Sequence, residues 1–582
     1  MTATPLPTTP PPGRTFSLSE PGGGLPRAAR ILTPVALALL AVGMLAVLPI
    51  GRLVAAAVFP DGAFDASLLA DRLARSATQR ALFNTLDTAL FGALLALLIG
   101  APFALLVSAT DMAWRKLQGF LLILPLMIAP QVMALAWAQM LGPSSALLGA
   151  IGLAPPPGTA NPLIGRGGII LLFGVQHAPI VFITLRAGIA QLPLDYLEAA
   201  RAAGAGPMRV LGTIVLPLLR PYLIAGMALA FVSGVGNFGI PALLGMPANY
   251  LTLATLIYQQ LSSNGPTVLP QVAGLSLLIC AIALAGIAAQ SLALRQGGFA
   301  MARGLPMHFA LGRWRWPLSL AGLLVLAMML VLPAAALLAT SLVPAYGVGL
   351  SAQTLTPDNY VEVMVRQTAT VRAFVNSSYL SLAAAGILAV LAVPLALGLA
   401  RLPRGLGRFA HGVLDLPYAL PGIVLAVACI LLFLRPLPLI GSLYGTPWII
   451  LVAYLMRFAA LAIKPVDAAL GQLPPEQSEA AAGAGAGPLR RLVTITAPLT
   501  APAMAAGALL VFMSAFNELT VSALLWSSRN ETIGVILFSL EESGLSPQAS
   551  AVAVVTLGLI VLLLALLDRL GTRLPAGVLP WR

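Results

Sequence analysis

Residues 191–221 read QLPLDYLEAARAAGAGPMRVLGTIVLPLLRP, and residues 472–502 read QLPPEQSEAAAGAGAGPLRRLVTITAPLTAP. Of the 31 aligned positions 18 are identical, and the copies lie 281 residues apart, as Glu198 and Glu479 do. The same offset runs without a gap from Ile169/Ile450 to Gly245/Trp526. The chain is therefore a tandem of one unit in one orientation. Each copy reads as a helix, a sharp turn and a second short helix. Pro193 and Pro474 suit the first turn of a helix, where a missing N–H costs little. Ala-rich, strongly helical sequence follows Glu198 and Glu479. Gly204 and Gly485 can supply the positive φ of a helix C-cap. Pro207 and Pro488 restart a helix, and the pairs Pro217/Pro221 and Pro498/Pro502 are expected to end it at the next membrane span.

The surroundings of the repeat are apolar. Hydrophobic residues make up 59% of the 582, charged residues 9%, and the mean hydropathy is +0.95. A soluble domain carries roughly 25% charged residues, so this surface must face lipid. Disorder, a fibrous repeat and a nucleic-acid-binding domain are excluded. The net charge of +13 comes from 32 Lys and Arg against 19 Asp and Glu, an excess that in a membrane protein marks cytoplasmic loops. Cys280 and Cys429 both lie in apolar runs and imply neither a disulfide framework nor a thiolate metal site.

Residues 1–30 read as a disordered cytoplasmic tail. The run Ile31–Ile50 spans about 30 Å and reads as an uncleaved first span, although Ala55-Ala56-Ala57 could mimic a cleavage site. Runs of spanning length recur near 31–58, 82–109, 118–142, 168–190, 222–245 and 269–291. A basic connector over 292–316 follows, and six more runs lie near 317–342, 373–400, 412–434, 448–470, 503–526 and 548–568. The expected domains are a first half over 31–291 (core 80–291), a second over 317–570 (core 372–570) and a cytoplasmic tail over 571–582. With the N-terminus inside, 22 Lys and Arg fall on cytoplasmic segments and 9 on outer loops, with Arg457 inside a span. Both termini are thus expected inside. Each copy of the repeat then lies on the cytoplasmic side, between the fourth and fifth span of its half.

The pattern Glu-Ala-Ala, a Gly six residues after the Glu, then Ile and a Pro resembles the EAA loop of ABC importer permeases. It is carried here by Glu198, Ala199, Ala200, Gly204, Pro207, Ile214 and Pro217, and again by Glu479, Ala480, Ala481, Gly485, Pro488, Ile495 and Pro498. The second copy departs at Ala497, where the family usually has Leu. The resemblance implies an all-α integral membrane protein with twelve transmembrane helices, built as two tandem six-helix type I importer units. It implies that both loops dock on a cytoplasmic ABC ATPase, expected as a homodimer, and that a periplasmic binding protein delivers the cargo. The site implied is the bacterial inner membrane.

The chain's own chemistry is sparse. A Walker A loop requires Gly-Lys, but the two lysines, Lys116 and Lys464, follow Arg115 and Ile463. No cofactor is expected in this chain; ATP and magnesium belong to the partner. With His177, His308 and His411 the only histidines, acid–base catalysis and His-rich metal ligation are poorly supplied. The segments GNFGIPALLG (236–245), TLATLIYQQL (252–261), FNELTVSALLW (516–526) and ETIGVILFSLEE (531–542) resemble the fused permeases of ferric-iron importers. Related fused permeases move thiamine or aminoethylphosphonate, and polyamine permeases share the core fold. A twelve-span secondary transporter is the alternative of another class, although the loop TDMAWRKLQ (110–118) lacks the Gly/Asp/Arg pattern of major facilitators.

Charge inside the membrane is the last signal. Arg457 and Glu518 fall about 20–22 Å from the inner face at 1.5 Å per residue, and their counterparts at the repeat offset are Gln176 and Asn237. A lone charge at mid-membrane costs at least about 2.5–3.5 kcal/mol, so these groups are expected to face the interior or a wet cavity. Two readings stand: an Arg457–Glu518 pair that braces neighbouring spans, or a path in which Glu518, Asn517 and Asn237 offer oxygen to a hard cation.

Overall fold

The computed structural model describes residues 29–59, 64, 67–156, 158–192, 194–263, 268–296, 309–436 and 441–570. Most of the tail over 1–30, the connector residues 297–308 with His308, the C-terminal tail and Pro193 lie outside the described residues. The architecture is all-helical. In the first half we number α1 (Ala29–Val58), α2 (Ser76–Ala109), α3 (Arg115–Met127), α4 (Pro130–Leu141), α5 (Arg166–Ile189), α6 (Leu194–Ala202), α7 (Pro207–Val235), α8 (Gly239–Leu244), α9 (Leu253–Leu261) and α10 (Val268–Gln296). In the second half follow α11 (Gly312–Ser341), α12 (Thr368–Ala400), α13 (Arg404–Ala419), α14 (Gly422–Phe433), α15 (Pro447–Leu470), α16 (Pro475–Gly483), α17 (Pro488–Phe516), α18 (Ser522–Leu525), α19 (Ile533–Glu542) and α20 (Ser546–Leu570). Eleven described helices are long and apolar enough to cross a membrane, or twelve when the bent pair α13/α14 is one span. In lipid every backbone group must be paired within the chain, which is why long uninterrupted helices dominate.

The halves interlock through their first helices. Ala38, Leu39, Val42 and Leu45 of α1 pack on the core of the second half, while Leu326, Met329, Ala336 and Leu337 of α11 join the core of the first. Within the first half α2 and α5 approach closely through glycine. A Cβ at Gly92 would meet Phe173 at 2.5 Å, and one at Gly174 would meet Leu95 at 2.5 Å. Such close contact through small residues is what holds helices together where lipid supplies no hydrophobic drive.

Three expectations are corrected. The runs 118–142 and 412–434 are not straight spans: α3 stops at Met127 before α4, and α13 and α14 meet at 101°. Pro130 and Pro421 lie at these elbows, Pro130 in the first turn of α4 and Pro421 as the N-cap of α14, where a missing N–H costs little. The runs 222–245 and 503–526 also break, at Gly236 and Asn517, before the short helices α8 and α18. Third, Pro217 and Pro498 do not end a helix. Residues 211–215 and 492–496 form single π-turns, in which Leu216 N–H reaches the Leu211 carbonyl and Ala497 N–H that of Leu492. The widened turn relieves the proline ring's crowding of the preceding turn, so α7 and α17 run on into the membrane. The same device precedes Pro333 in α11, where Leu332 N–H bonds the Ala327 carbonyl.

Candidate functional site

The two repeat loops have one backbone. Gly204 and Gly485 adopt φ of +78° and +79°. Gly204 N–H donates to the Arg201 carbonyl at 2.9 Å and Ala205 N–H to that of Ala200 at 3.0 Å. In the second copy Gly485 N–H donates to Ala482 at 3.0 Å and Ala486 N–H to Ala481 at 2.9 Å. This turn satisfies carbonyls that a helix end would otherwise leave open. A Cβ at either glycine would meet nothing within 4 Å, so the requirement for glycine is conformational. Glu198, Ala199, Gly204, Pro207 and Pro217 are exposed, with Ala200 and Ile214 half-buried. Glu479, Ala480, Gly485 and Pro498 are exposed, and Ala481, Pro488 and Ile495 half-buried. Beside each turn stands a bare apolar side chain, Met208 or Leu489, at the same place in the repeat.

The seam between the halves is built on a second pseudo-symmetric pattern. Gln176 on α5 donates from Nε2 to the carbonyls of Pro125 (2.7 Å) and Ile128 (3.1 Å), filling the α3/α4 elbow. Arg457 on α15 lies in the matching α13/α14 elbow, its Nη1 against Gly422. Asn237 Oδ1 accepts the N–H of Ile240 at 3.1 Å at the start of α8. Glu518 Oε2 accepts the N–H groups of Val521 (2.8 Å) and Ser522 (3.3 Å) at the start of α18. Each fifth-span end then meets the other half's elbow. Asn517 Nδ2 donates to the Met127 carbonyl at 3.3 Å, and Gly236 packs on Pro421, where a Cβ would lie 3.2 Å away. Toward the side opposite the repeat loops, Phe238, Tyr258 and Phe538 cluster with ring centroids 5.1–6.0 Å apart.

The family described as binding-protein-dependent transport system inner membrane component matches residues 112–295 and 392–578, once in each half. The chain belongs to this permease family. It is similar to the probable ABC transporter permease protein y4fN of Sinorhizobium fredii, 27% identical over 477 residues, covering 80% of this chain and 82% of that one. It is also similar to the putative ABC transporter permease protein ORF1 of Streptomyces antibioticus, 33% identical over 189 residues, 32% of this chain and 80% of that one. The putative 2-aminoethylphosphonate transport system permease protein PhnV of Salmonella paratyphi A is 28% identical over 162 residues, 28% of this chain and 60% of that one. Membership makes this a non-enzymatic, multi-pass inner-membrane subunit of an importer that works with an ATPase and a binding protein.

Within this permease, Asn517 reaches across the seam to Met127, Gln176 and Arg457 each fill the elbow of their own half, and Arg457 acts on Glu518 through its charge without an ion-pair contact among the described residues. Ion pairs form elsewhere, at Asp87–Arg166, Glu362–Arg366, Arg372–Glu531 and Asp415–Lys464. Glu518 spends an oxygen on helix N–H groups instead, because a buried carboxylate at a helix N-terminus meets both unpaired donors and the positive end of the dipole. Two latches escaped the sequence reading. Asn84 Nδ2 donates to the Leu251 carbonyl (2.9 Å) and Thr85 Oγ1 accepts Leu253 N–H (2.8 Å). In the second half Asn376 Nδ2 donates to the carbonyls of Arg529 (3.1 Å) and Glu531 (2.9 Å), and Ser377 Oγ accepts Ile533 N–H (2.9 Å). The signal is Arg-Ala-x-x-Asn-Thr/Ser at 80–85 and 372–377, repeated at an offset of 292, out of step with the 281 of the repeat loops.

Proposed function

We propose that this permease moves ferric iron released by its periplasmic binding protein, and that the two repeat loops couple transport to a cytoplasmic ATPase homodimer. ATP and magnesium are bound by that partner, both termini are cytoplasmic, and residues 292–316 join the halves 31–291 and 317–570 on the same side. The observation that carries the coupling role is the glycine turn made twice, exposed both times, once in each half at the same place. Glu198, Ala199, Ala200, Gly204, Pro207, Ile214 and Pro217, with Glu479, Ala480, Ala481, Gly485, Pro488, Ile495 and Pro498, form the two docking elements. The path runs along the seam held by Gln176, Asn237, Arg457, Asn517 and Glu518. Iron is favoured by the likeness of residues 236–261 and 516–542 to ferric-iron permeases, segments that the two latches fasten to α2 and α12.

A phosphonate is the second reading. It is favoured by the similarity to PhnV and by Arg457, whose Nη1 is buried in the seam without a hydrogen-bond partner. A guanidinium fork suits a phosphonate's oxygens better than it suits a metal cation. Uptake into proteoliposomes that hold this chain and its ATPase separates the two. Radioactive ferric iron accumulating with its loaded binding protein supports the first reading; accumulation of 2-aminoethylphosphonate but not iron overturns it. Uptake of either without ATP hydrolysis overturns the importer mechanism as a whole.

A further inference from the structure

A cavity of about 140 Å³ lies between the halves on the side away from the repeat loops. It is lined by Gln139 at the end of α4, Asn161 in the following loop, Leu243 and Leu244 of α8, Tyr346 after α11 and Glu541 in the last turn of α19. At roughly 30 Å³ per water it holds a handful of molecules or one small ion with part of its shell.

The lining is rich in acceptors that lack donors. Gln139 is 2% exposed and its Oε1 has no partner among the described residues. Glu541 Oε2 is buried and also has none, while the Ser546 hydroxyl bonds the carboxyl. The other polar groups are already committed. Asn161 donates to the Ala138 carbonyl (3.0 Å) and accepts Leu163 N–H (3.0 Å), and Tyr346 pairs with Ser144. The field has the same sign as the side chains. Glu541 sits in the C-terminal turn of α19, just before Gly544 with its φ of +74°, and no basic residue occupies that turn. Helix C-termini carry partial negative charge, so a carboxylate there gains nothing from the dipole and a cation gains. Burial pushes the Glu541 carboxyl above its ordinary range, as expected of a carboxylate that lacks its counter-charge. Two unpaired acceptors, one of them an acid, suit a ligand that only donates.

We propose that this cavity is a binding site for a small N–H-bearing cation, ammonium or a primary ammonium group, held by Glu541 Oε2 and Gln139 Oε1. The site straddles the halves, since Gln139 belongs to the first and Glu541 to the second, so an occupied site ties α4 to α19. It stands apart from the repeat loops.

The test uses the full chain in lipid nanodiscs and thermal unfolding followed by tryptophan fluorescence. Ammonium chloride is titrated against tetramethylammonium chloride at constant ionic strength. Wild type is expected to gain at least about 2 °C, saturably, in ammonium alone. Glu541→Gln, which keeps shape and removes charge, and Gln139→Leu should each lose that gain. No gain in wild type, an equal gain in both salts, or an undiminished gain in Glu541→Gln overturns the proposal and leaves a water-filled void. A parallel arm compares 2-aminoethylphosphonate with ethylphosphonate. Given the ammonium gain, a further gain from the amino compound but not from ethylphosphonate extends the site to a substrate ammonium, and no gain from either phosphonate confines it to a resident ion. Because the readout needs neither ATPase nor transport, its failure leaves the importer reading where it stood.

Discussion

The two repeat loops share a backbone and differ in what holds them. The first is braced from outside. Phe309, where the described chain resumes within the connector, pairs with the α2–α3 loop: its N–H donates to the Ala109 carbonyl at 2.8 Å and its carbonyl accepts Asp111 N–H at 3.3 Å. Asp111 Oδ1 in turn accepts Leu311 N–H at 2.8 Å. The Phe309 ring lies under the Arg201 guanidinium at 4.6 Å, and Leu197 on the inner face of α6 is 3% exposed. The second loop relies on itself. Arg491 Nη1 donates to the Ser478 carbonyl (3.3 Å) and hydroxyl (3.4 Å), and the described residues of α16 are exposed apart from the half-buried Ala481. Arg201 has Ala482 as its counterpart, and Arg491 has Val210. Fusion explains the difference: one chain has one junction, so the segment that enters the second half can brace one loop and not both.

The largest test strikes what the loops have in common. Gly204→Val and Gly485→Val put a β-branched residue at positive φ, at a cost on the order of 1–3 kcal/mol each. ATPase capture and transport should fall about tenfold or more in each, with normal membrane levels. Wild-type capture and transport in both variants would dismiss the loops as docking elements. The braced first loop, unable to relax its turn, should suffer more.

Next comes the seam, where the second half carries two charges, Arg457 and Glu518, in place of the neutral Gln176 and Asn237. Glu518→Ala removes an acceptor from two buried N–H groups, and Asn237→Ala from one. The expected losses are about 2–3 and about 1 kcal/mol, read as a larger drop in thermal midpoint for Glu518→Ala. Exchanging the charges (Arg457→Glu with Glu518→Arg) should not restore it, because the carboxylate caps a helix that arginine cannot cap. Full recovery by the exchange would reinstate a structural ion pair.

A smaller effect isolates the brace. Phe309→Ala removes a cation–π contact worth about 0.5–2 kcal/mol. Amide hydrogen exchange should quicken over residues 194–206 and stay unchanged over 475–487. Equal quickening in both loops would break the comparison. Transport should fall only a few-fold.

The smallest concerns the outer latch of the second half. Burial acts to raise the Glu531 carboxyl, but hydrogen bonds from backbone N–H groups and from Arg372 outweigh it and hold the group below the usual range. A depressed carboxylate contributes stability above its unfolded pKa and loses it as pH falls through the folded value. Thermal stability of wild type should therefore decline more than that of Glu531→Gln below about pH 4. Parallel curves would remove the latch's charge from the account.

Sequence alone determined what is local or periodic. Apolar length marked where the chain enters lipid, since lipid tolerates few alternatives to a helix, but not that four of the runs bend or break. The repeat fixed the division into halves, and the glycine pair announced its positive φ because little else adopts that conformation cheaply. Even so, Pro217 and Pro498 misled: a proline reads as a stop, and whether a π-turn absorbs it depends on what the continuing helix packs against. Tertiary structure alone decided the partners. Asn517 reaches Met127 across 390 residues of chain, and Gly236 meets Pro421. The same holds for Glu518, whose sequence position announced a costly charge but not its ligands; these are backbone N–H groups, set free only because the fifth span breaks there. Hydropathy measures the preference of a residue for lipid or water, and carries no term for which of two buried neighbours a polar atom will meet.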